Sequence, residues 1–182
     1  ELGVLRDGID PGQAERLDHA LALIDTGIRS IRSVTNDLRP SLLDDLGLLP
    51  ALRSLVTDFD SRSGIRAELV APAALPPLSK EAELALFRAL QEALSNVRRH
   101  AEARTVHVGI GVSPAGVRLE VRDDGRGPPE DSLERLELQG HMGLAGMRER
   151  ISALGGGVRF GGRPGSGASL EVLVPAAPAE VA

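Results

Sequence analysis

Two runs of alternating apolar and polar residues, RTVHVGIGV (104–112) and GVRLEVRD (116–123), flank an SPAG turn. A period of two sends successive side chains to opposite faces, so the pair reads as a hairpin with one apolar face. That face must be covered. Helical candidates to cover it lie on both sides. The run 79–100 has apolar residues at helical spacing, with Ser79 as its cap and Glu81 and Glu83 in its first turn. LAGMRERISAL (144–154) is a second such run, closed by three glycines. GIRAELVA (64–71) reads as a strand, PAALPPL (72–78) as a stiff loop, and VRFGG (158–162) with SLEVLVP (169–175) as a further hairpin across RPGSGA. Helices segregated from a mostly antiparallel sheet make an α+β sandwich.

The first third has a different texture. Residues 1–7 form a short apolar helical piece and DGIDPG (7–12) a turn. From Gln13 to Leu38 apolar positions recur at Leu17, Leu21, Ile24, Ile28 and Ile31, then at Thr35 and Leu38, which is a heptad seam with one polar member. Such a seam serves a monomeric bundle or a helical hairpin that dimerises into four helices. Arg39-Pro40 ends or kinks it. A second helix is expected over about 49–61, with Pro50 in its first turn and Leu49, Leu52, Leu55, Val56 and Phe59 on its apolar side. The expected division is therefore 1–61 for a helical region, 62–176 for a second domain and 177–182 for a frayed tail. The opening ELGVLR already has helical character, so the residues are expected to be part of something longer.

Composition excludes several classes. Hydrophobic residues make up 42% and aromatics only 2%, with no Trp or Tyr, so the core must be aliphatic. A net charge of −5 without a basic, aromatic stripe argues against a nucleic-acid surface. No Cys is present, hence no disulfide frame and no Cys-based zinc site. No apolar run of spanning length and no signal peptide is found, which makes this stretch a soluble one with no membrane contact. Of 21 basic residues only Lys80 is Lys, and no G-x-x-x-x-G-K-[ST] string occurs. A P-loop is thereby excluded.

Chemistry concentrates in three strings. On a helical wheel with Glu92 at zero, Asn96 falls near 40°, Arg99 near 340° and His100 near 80°, while Leu86, Phe87, Leu90, Leu94 and Val97 lie between about 120° and 220°. The helix thus shows one face to the core and gathers an acid, an amide and bases on the other. A solvated face would be the ordinary reading of one Glu–Asn pair. But Asn is a poor residue for a helix interior. Carboxylate, amide oxygen and nearby cations also suit a hydrated Mg²⁺ and phosphate oxygens. The second string is VRDDGRG (121–127), directly after a strand, where Gly125 and Gly127 permit close approach to a ligand and a buried Asp could accept from an exocyclic amine. The third is GHMGLAGMRER (140–150), with glycines at 140, 143 and 146 leading into a helix N-terminus able to meet phosphate. Each string alone is weak evidence; DDG is also an ordinary turn.

In this order and spacing they resemble the GHKL (Bergerat) ATP-binding fold, a two-layer α/β sandwich with a mixed sheet. LRPSLLDDLGLLPALRSLV (38–56) and FRALQEALSNVRRHA (87–101) narrow the resemblance to histidine kinases of the NarL/DesK type, which carry a HisKA_3 dimerisation hairpin. The resemblance covers most of the chain. It implies that Asn96 coordinates Mg²⁺ bridging the ATP phosphates and that Glu92 orients or deprotonates the attacking imidazole or water. It puts Arg99 and His100 near the phosphates, with Arg98 turned further away. It makes Asp123 the acceptor for the adenine N6 amine, with Gly125 and Gly127 shaping the adenine pocket. Residues 128–142 become the ATP lid, anchored at Gly143 and Leu144, with Gly146 beyond them. The implied cofactors are ATP and Mg²⁺. The implied partners are a second copy through the partial helical hairpin and a response regulator of the NarL/LuxR type. The implied location is the cytoplasm, whether or not the full-length protein is membrane-anchored. The implied reaction passes the γ-phosphoryl group to a His outside these residues, then to a regulator Asp.

Two departures stand out. His19 is followed by Ala rather than an acid and falls in the second hairpin helix; His107 lies in a strand and His141 in the lid, so no phosphoacceptor is assigned. And where the family usually has Gly-Thr in the last hairpin, this chain has Gly167-Ala168, with Ser169 on the opposite face. The missing hydroxyl lowers adenine affinity or leaves its place to a water. Other readings remain open: another GHKL ATPase or serine kinase, and a dimeric scaffold that does not use nucleotide.

Overall fold

The computed structural model describes residues 41–128 and 142–177. The heptad segment 13–38, His19, His141, most of the expected lid and the end of the expected tail lie outside them. Among the described residues two helices come first, the short α1 (Ser41–Leu46) and the longer α2 (Leu48–Ser63). They are followed by β1 (Arg66–Val70), α3 (Lys80–Asn96) and a π-helical turn (Val97–Ala101). Then come β2 (Thr105–Ser113), β3 (Gly116–Asp123), α4 (Met142–Ala153), β4 (Gly157–Gly162) and β5 (Ala168–Val174). Most bounds agree with the sequence pattern to within two residues. The exception is the 79–100 helix, which is α-helical only to Asn96.

The strands form one sheet in the order β1-β2-β3-β5-β4. Every pairing is antiparallel except β1 with β2, which is parallel. The exception has a simple cause. Parallel neighbours need a long crossover, and the whole of α3 lies between Val70 and Thr105. Alternation gives the sheet two unlike faces. Val106, Val108 and Ile110 of β2, Val117, Leu119 and Val121 of β3, and Leu170, Val172 and Val174 of β5 are all buried. Intervening positions carry charge. Glu68 pairs with His107 (2.6 Å), Glu120 with Arg122, and Glu171 with both Arg118 (3.4 Å) and Arg159 (3.5 Å). Exposed pairs of this kind add little stability. They keep the outer face wetted.

α3 covers the inner face. Ser79 caps it, accepting from the Ala82 N–H at 3.1 Å, with Glu81 and Glu83 at the positive end of the helix dipole. Its buried side, which includes Leu86, Phe87, Leu90 and Leu94, packs toward β3, β5 and α4. From α4, Met147 and Ile151 complete this core. The interior is aliphatic, as the composition requires, and Phe87 is the one aromatic among its buried residues.

α2 belongs to the same core. Leu48, Ala51, Leu52 and Val56 are buried within it, and α2 packs on α3 and β1. Near its end Asp60 accepts the Ala67 N–H of the edge strand β1 at 2.8 Å, which ties helix to sheet. The compact unit accordingly begins at Leu42, and the expected division at 61/62 falls inside α2. No helix among the described residues is long and apolar enough to cross a membrane. Leu52 is fully buried, so Leu52→Ala is expected to lower the unfolding free energy by about 2–5 kcal/mol, read as an earlier urea transition by circular dichroism. An unchanged midpoint would remove α2 from the core.

Candidate functional site

The polar side of α3 begins with Glu92 and Asn96, four residues apart and so adjacent on the helix surface. Both are half-buried, and the Asn96 amide N–H donates to Glu92 Oε1 at 3.3 Å. This bond uses the nitrogen end of the amide and spares its oxygen. Two oxygen-bearing groups are thus held side by side on the face opposite Ala93 and Leu94.

Beyond Asn96 the helix widens. Val97 donates to the carbonyls of both Ala93 and Leu94, and Val97–Ala101 winds as a π-helix. A π turn holds more residues than an α turn. The wheel angles that a straight helix gives Arg99 and His100 therefore do not apply. Arg98, Arg99 and His100 are all solvent-exposed at this end. Glu102 then takes φ 54°, a left-handed conformation that few non-glycine residues adopt, and turns the chain toward β2.

The second string meets the first at that corner. β3 ends at Asp123, which has the inward parity of Leu119 and Val121 and is half-buried. Asp123 Oδ1 accepts the Gly125 N–H at 2.9 Å, leaving the rest of the carboxylate for another donor. The Arg126 N–H donates to the Ala101 carbonyl at 2.8 Å. Gly125 passes so close that a Cβ there would collide with the Ala101 carbonyl and the Asp123 carboxylate. Gly127 has φ 69° and lies equally tight against the Arg163 carbonyl. Both glycines are thus required by close approach to the chain's own backbone, whereas the string suggests approach to a ligand.

Asp124 has a role that the sequence reading left out. Its Oδ1 accepts from two successive backbone groups, Arg104 N–H at 2.7 Å and Thr105 N–H at 2.8 Å. The Thr105 N–H, with that of Arg104 in support, holds its carboxyl below the ordinary aspartate value against a smaller opposing effect of desolvation. The sign follows. Whatever Asp124 contributes is complete above the ordinary value and is lost as pH falls through the lowered one. A second acid directly after a strand end was the available signal, since Asp and Asn habitually accept nearby backbone N–H groups.

In the third string the helix starts earlier than expected. Gly143 and Leu144 lie in the first turn of α4, among the four residues whose N–H groups have no partner within the helix. Gly146 is the fifth residue, so its N–H falls outside that set. The last hairpin bears out the reading of Ser169, which shares its parity with Glu171 and sits beside Gly161 on the outer face. Ala168 has the inner parity of Leu170, offers only a methyl group, and lies one position beyond the last β3–β5 pair, Arg122↔Ser169. His107, on the outer face, is engaged by Glu68.

Comparison with known proteins fits this arrangement. The family described as histidine kinase-, DNA gyrase B-, and HSP90-like ATPase matches residues 81–178. The signal transduction histidine-protein kinase/phosphatase DegS of Brevibacillus brevis is 34% identical over 168 residues, 92% of this chain and 42% of that protein. The sensor histidine kinase NarS of Mycobacterium tuberculosis is 35% identical over 154 residues, 85% of this chain and 35% of that protein. The chain therefore spans less than half the length of these relatives. Among solved structures, the ATP binding domain of PrrB from Mycobacterium tuberculosis superposes with a TM-score of 0.53 at 24% identity, covering 70% of this chain and 93% of that one. At this identity the likeness is one of fold.

Carboxyl NMR titration is expected to place the Asp124 midpoint below the ordinary aspartate value, with the Arg104 and Thr105 amide shifts following the same curve. A midpoint at the ordinary value would remove the double acceptor bond.

Proposed function

The chain belongs to the histidine kinase-, DNA gyrase B-, and HSP90-like ATPase family, and on that premise we propose that it is the ATP-binding catalytic portion of a two-component sensor histidine kinase. The observation that carries the proposal is the join at Ala101. It locks the loop bearing Asp123 to the helix bearing Glu92 and Asn96, so that one ligand can span both.

In this reading Asp123 accepts the adenine N6 amine through the part of its carboxylate not used by Gly125. The tight backbone at Gly125 and Gly127 forms the floor of the base pocket. Arg99 is an exposed cation and His100 an exposed imidazole at the phosphate end. Gly143 and Leu144 supply N–H groups and the positive end of α4 to the phosphates. The donor set also suits Mg²⁺, which takes one or two protein oxygens and completes its shell with water and substrate phosphates. Asn96 would hold it through the amide oxygen that the Glu92 bond leaves available. When bound, the ion neutralises phosphate charge. Glu92 lies one helical turn from Asn96, where it can orient the attacking imidazole and hold its proton. The chemistry asked of this chain is positioning and charge neutralisation.

The phosphoryl acceptor is proposed to be a histidine outside these residues, on a dimerisation hairpin shared by two copies, with onward transfer to an aspartate of a NarL-type response regulator. Since ATP is the substrate, the cytoplasm is the compartment proposed.

Calorimetric titration with a non-hydrolysable ATP analogue tests the reading. Saturable, Mg²⁺-dependent binding is expected. Asp123→Asn retains an oxygen for Gly125 but loses the charged acceptor, and is expected to weaken binding at least tenfold. Asn96→Ala is expected to abolish the Mg²⁺ dependence. No saturation by the parent chain at millimolar analogue would sink the proposal and favour a nucleotide-independent scaffold. Ala168→Thr restores a hydroxyl beside Asp123 and is expected to tighten binding by about two- to tenfold, the worth of one neutral hydrogen bond.

A further inference from the structure

Asp123 is the last residue of β3, where regular sheet bonding stops, yet an acceptor that reads one amine must be fixed in direction. The β2–β3 ladder ends at the pair Val106↔Asp123. Past that pair a backbone bond from the Asp124 N–H to the Thr105 carbonyl continues it, at a long 3.3 Å. The Asp124 carboxylate supplies the shorter bonds. It grips Arg104 and Thr105 by their N–H groups at 2.7 and 2.8 Å. Those residues follow the strained corner at Glu102 by two and three positions. On the other side of the corner the Arg126 N–H meets the Ala101 carbonyl, and the Arg126 guanidinium meets Glu102 at 3.2 Å. Residues 123–126 and 101–105 thus clasp each other from both ends, with Asp124 closing the end next to Asp123.

We propose that Asp124 is a positioning residue for nucleobase recognition, aiming the Asp123 carboxylate at the base by splinting the strand end to Arg104 and Thr105; this rests on the assignment of Asp123 to adenine given above. Asp124 is exposed, as is Arg104, so water can satisfy the freed N–H groups when the carboxylate is removed. Its loss should therefore act on direction more than on folding. Asp123 is linked to Gly125, and Gly125 lies against Ala101, so slack at position 124 passes directly to the acceptor.

The test compares ADP with purine riboside 5′-diphosphate, which lacks the N6 amine, by calorimetry on the whole chain. The parent is expected to prefer ADP by about tenfold or more, the worth of a hydrogen bond to a charged group. Asp124→Ala is expected to reduce that preference to threefold or less. Asp124→Asn, which keeps an acceptor oxygen, should retain most of it. Melting temperatures should stay close to the parent's. Equal weakening of both ligands by Asp124→Ala, with the preference intact, would overturn the proposal and leave Asp124 with a structural role only. Failure of Asp124→Asn to rescue would overturn it too. No preference in the parent would instead overturn the adenine assignment beneath it. Amide exchange without nucleotide decides the splint separately. Gly125 and Arg126 should exchange faster in Asp124→Ala, and parental rates there would refute it.

Discussion

One backbone hydrogen bond, from Arg126 to the Ala101 carbonyl, organises the candidate site. It joins the C-terminal end of the central helix to the loop that leaves the central hairpin. Together with the grip of Asp124 on Arg104 and Thr105 it fixes the spacing of the two strings richest in polar chemistry, which sit on separate elements. The bond also explains the glycine at 125, since any side chain there would displace the carbonyl that accepts it. The widened turn before Ala101 and the left-handed Glu102 after it shape the corner where this contact is made. Irregular geometry of this sort clusters where a fold does work.

Around that corner the architecture is economical. A single sheet has one dry face, and two helices of the site, α3 and α4, lie on it together. Their buried residues are the ordinary aliphatic periodicities of 3.6 and 2. The proposed chemistry would draw on residues at their margins. Glu92 and Asn96 come from the back of α3, Asp123 from the last inward position of β3, and Gly143 and Leu144 from the start of α4. The proposed site is a rim where three core-packed elements begin or end.

Much of this was legible in the sequence because it follows from period. Alternation marked β2 and β3, Ser79 marked the start of α3, and the polar wheel positions picked out Glu92 and Asn96. The parity of Ser169 and Ala168 could be read in the same way. What escaped was what period does not encode. The π turn breaks the wheel at Val97, and no residue in VRRHA announces it. Asp124 was passed over because its partners, Arg104 and Thr105, are about 20 positions away. The start of α4 was set too late because its glycines look like a loop, yet packing of Met147 and Ile151 holds them in helical form. The boundary at 61/62 followed a change of texture between helix and strand, while the buried side of α2 joins the core across it.

The aliphatic interior has an optical consequence. With no Trp and no Tyr, and three Phe in all, the chain scarcely absorbs or emits in the near ultraviolet. Unfolding is silent to intrinsic fluorescence and must be followed by the peptide bonds. A purine in the pocket, by contrast, would stand out near 260 nm against a dark protein. Absorbance of the purified chain alone would therefore report any nucleotide that travels with it.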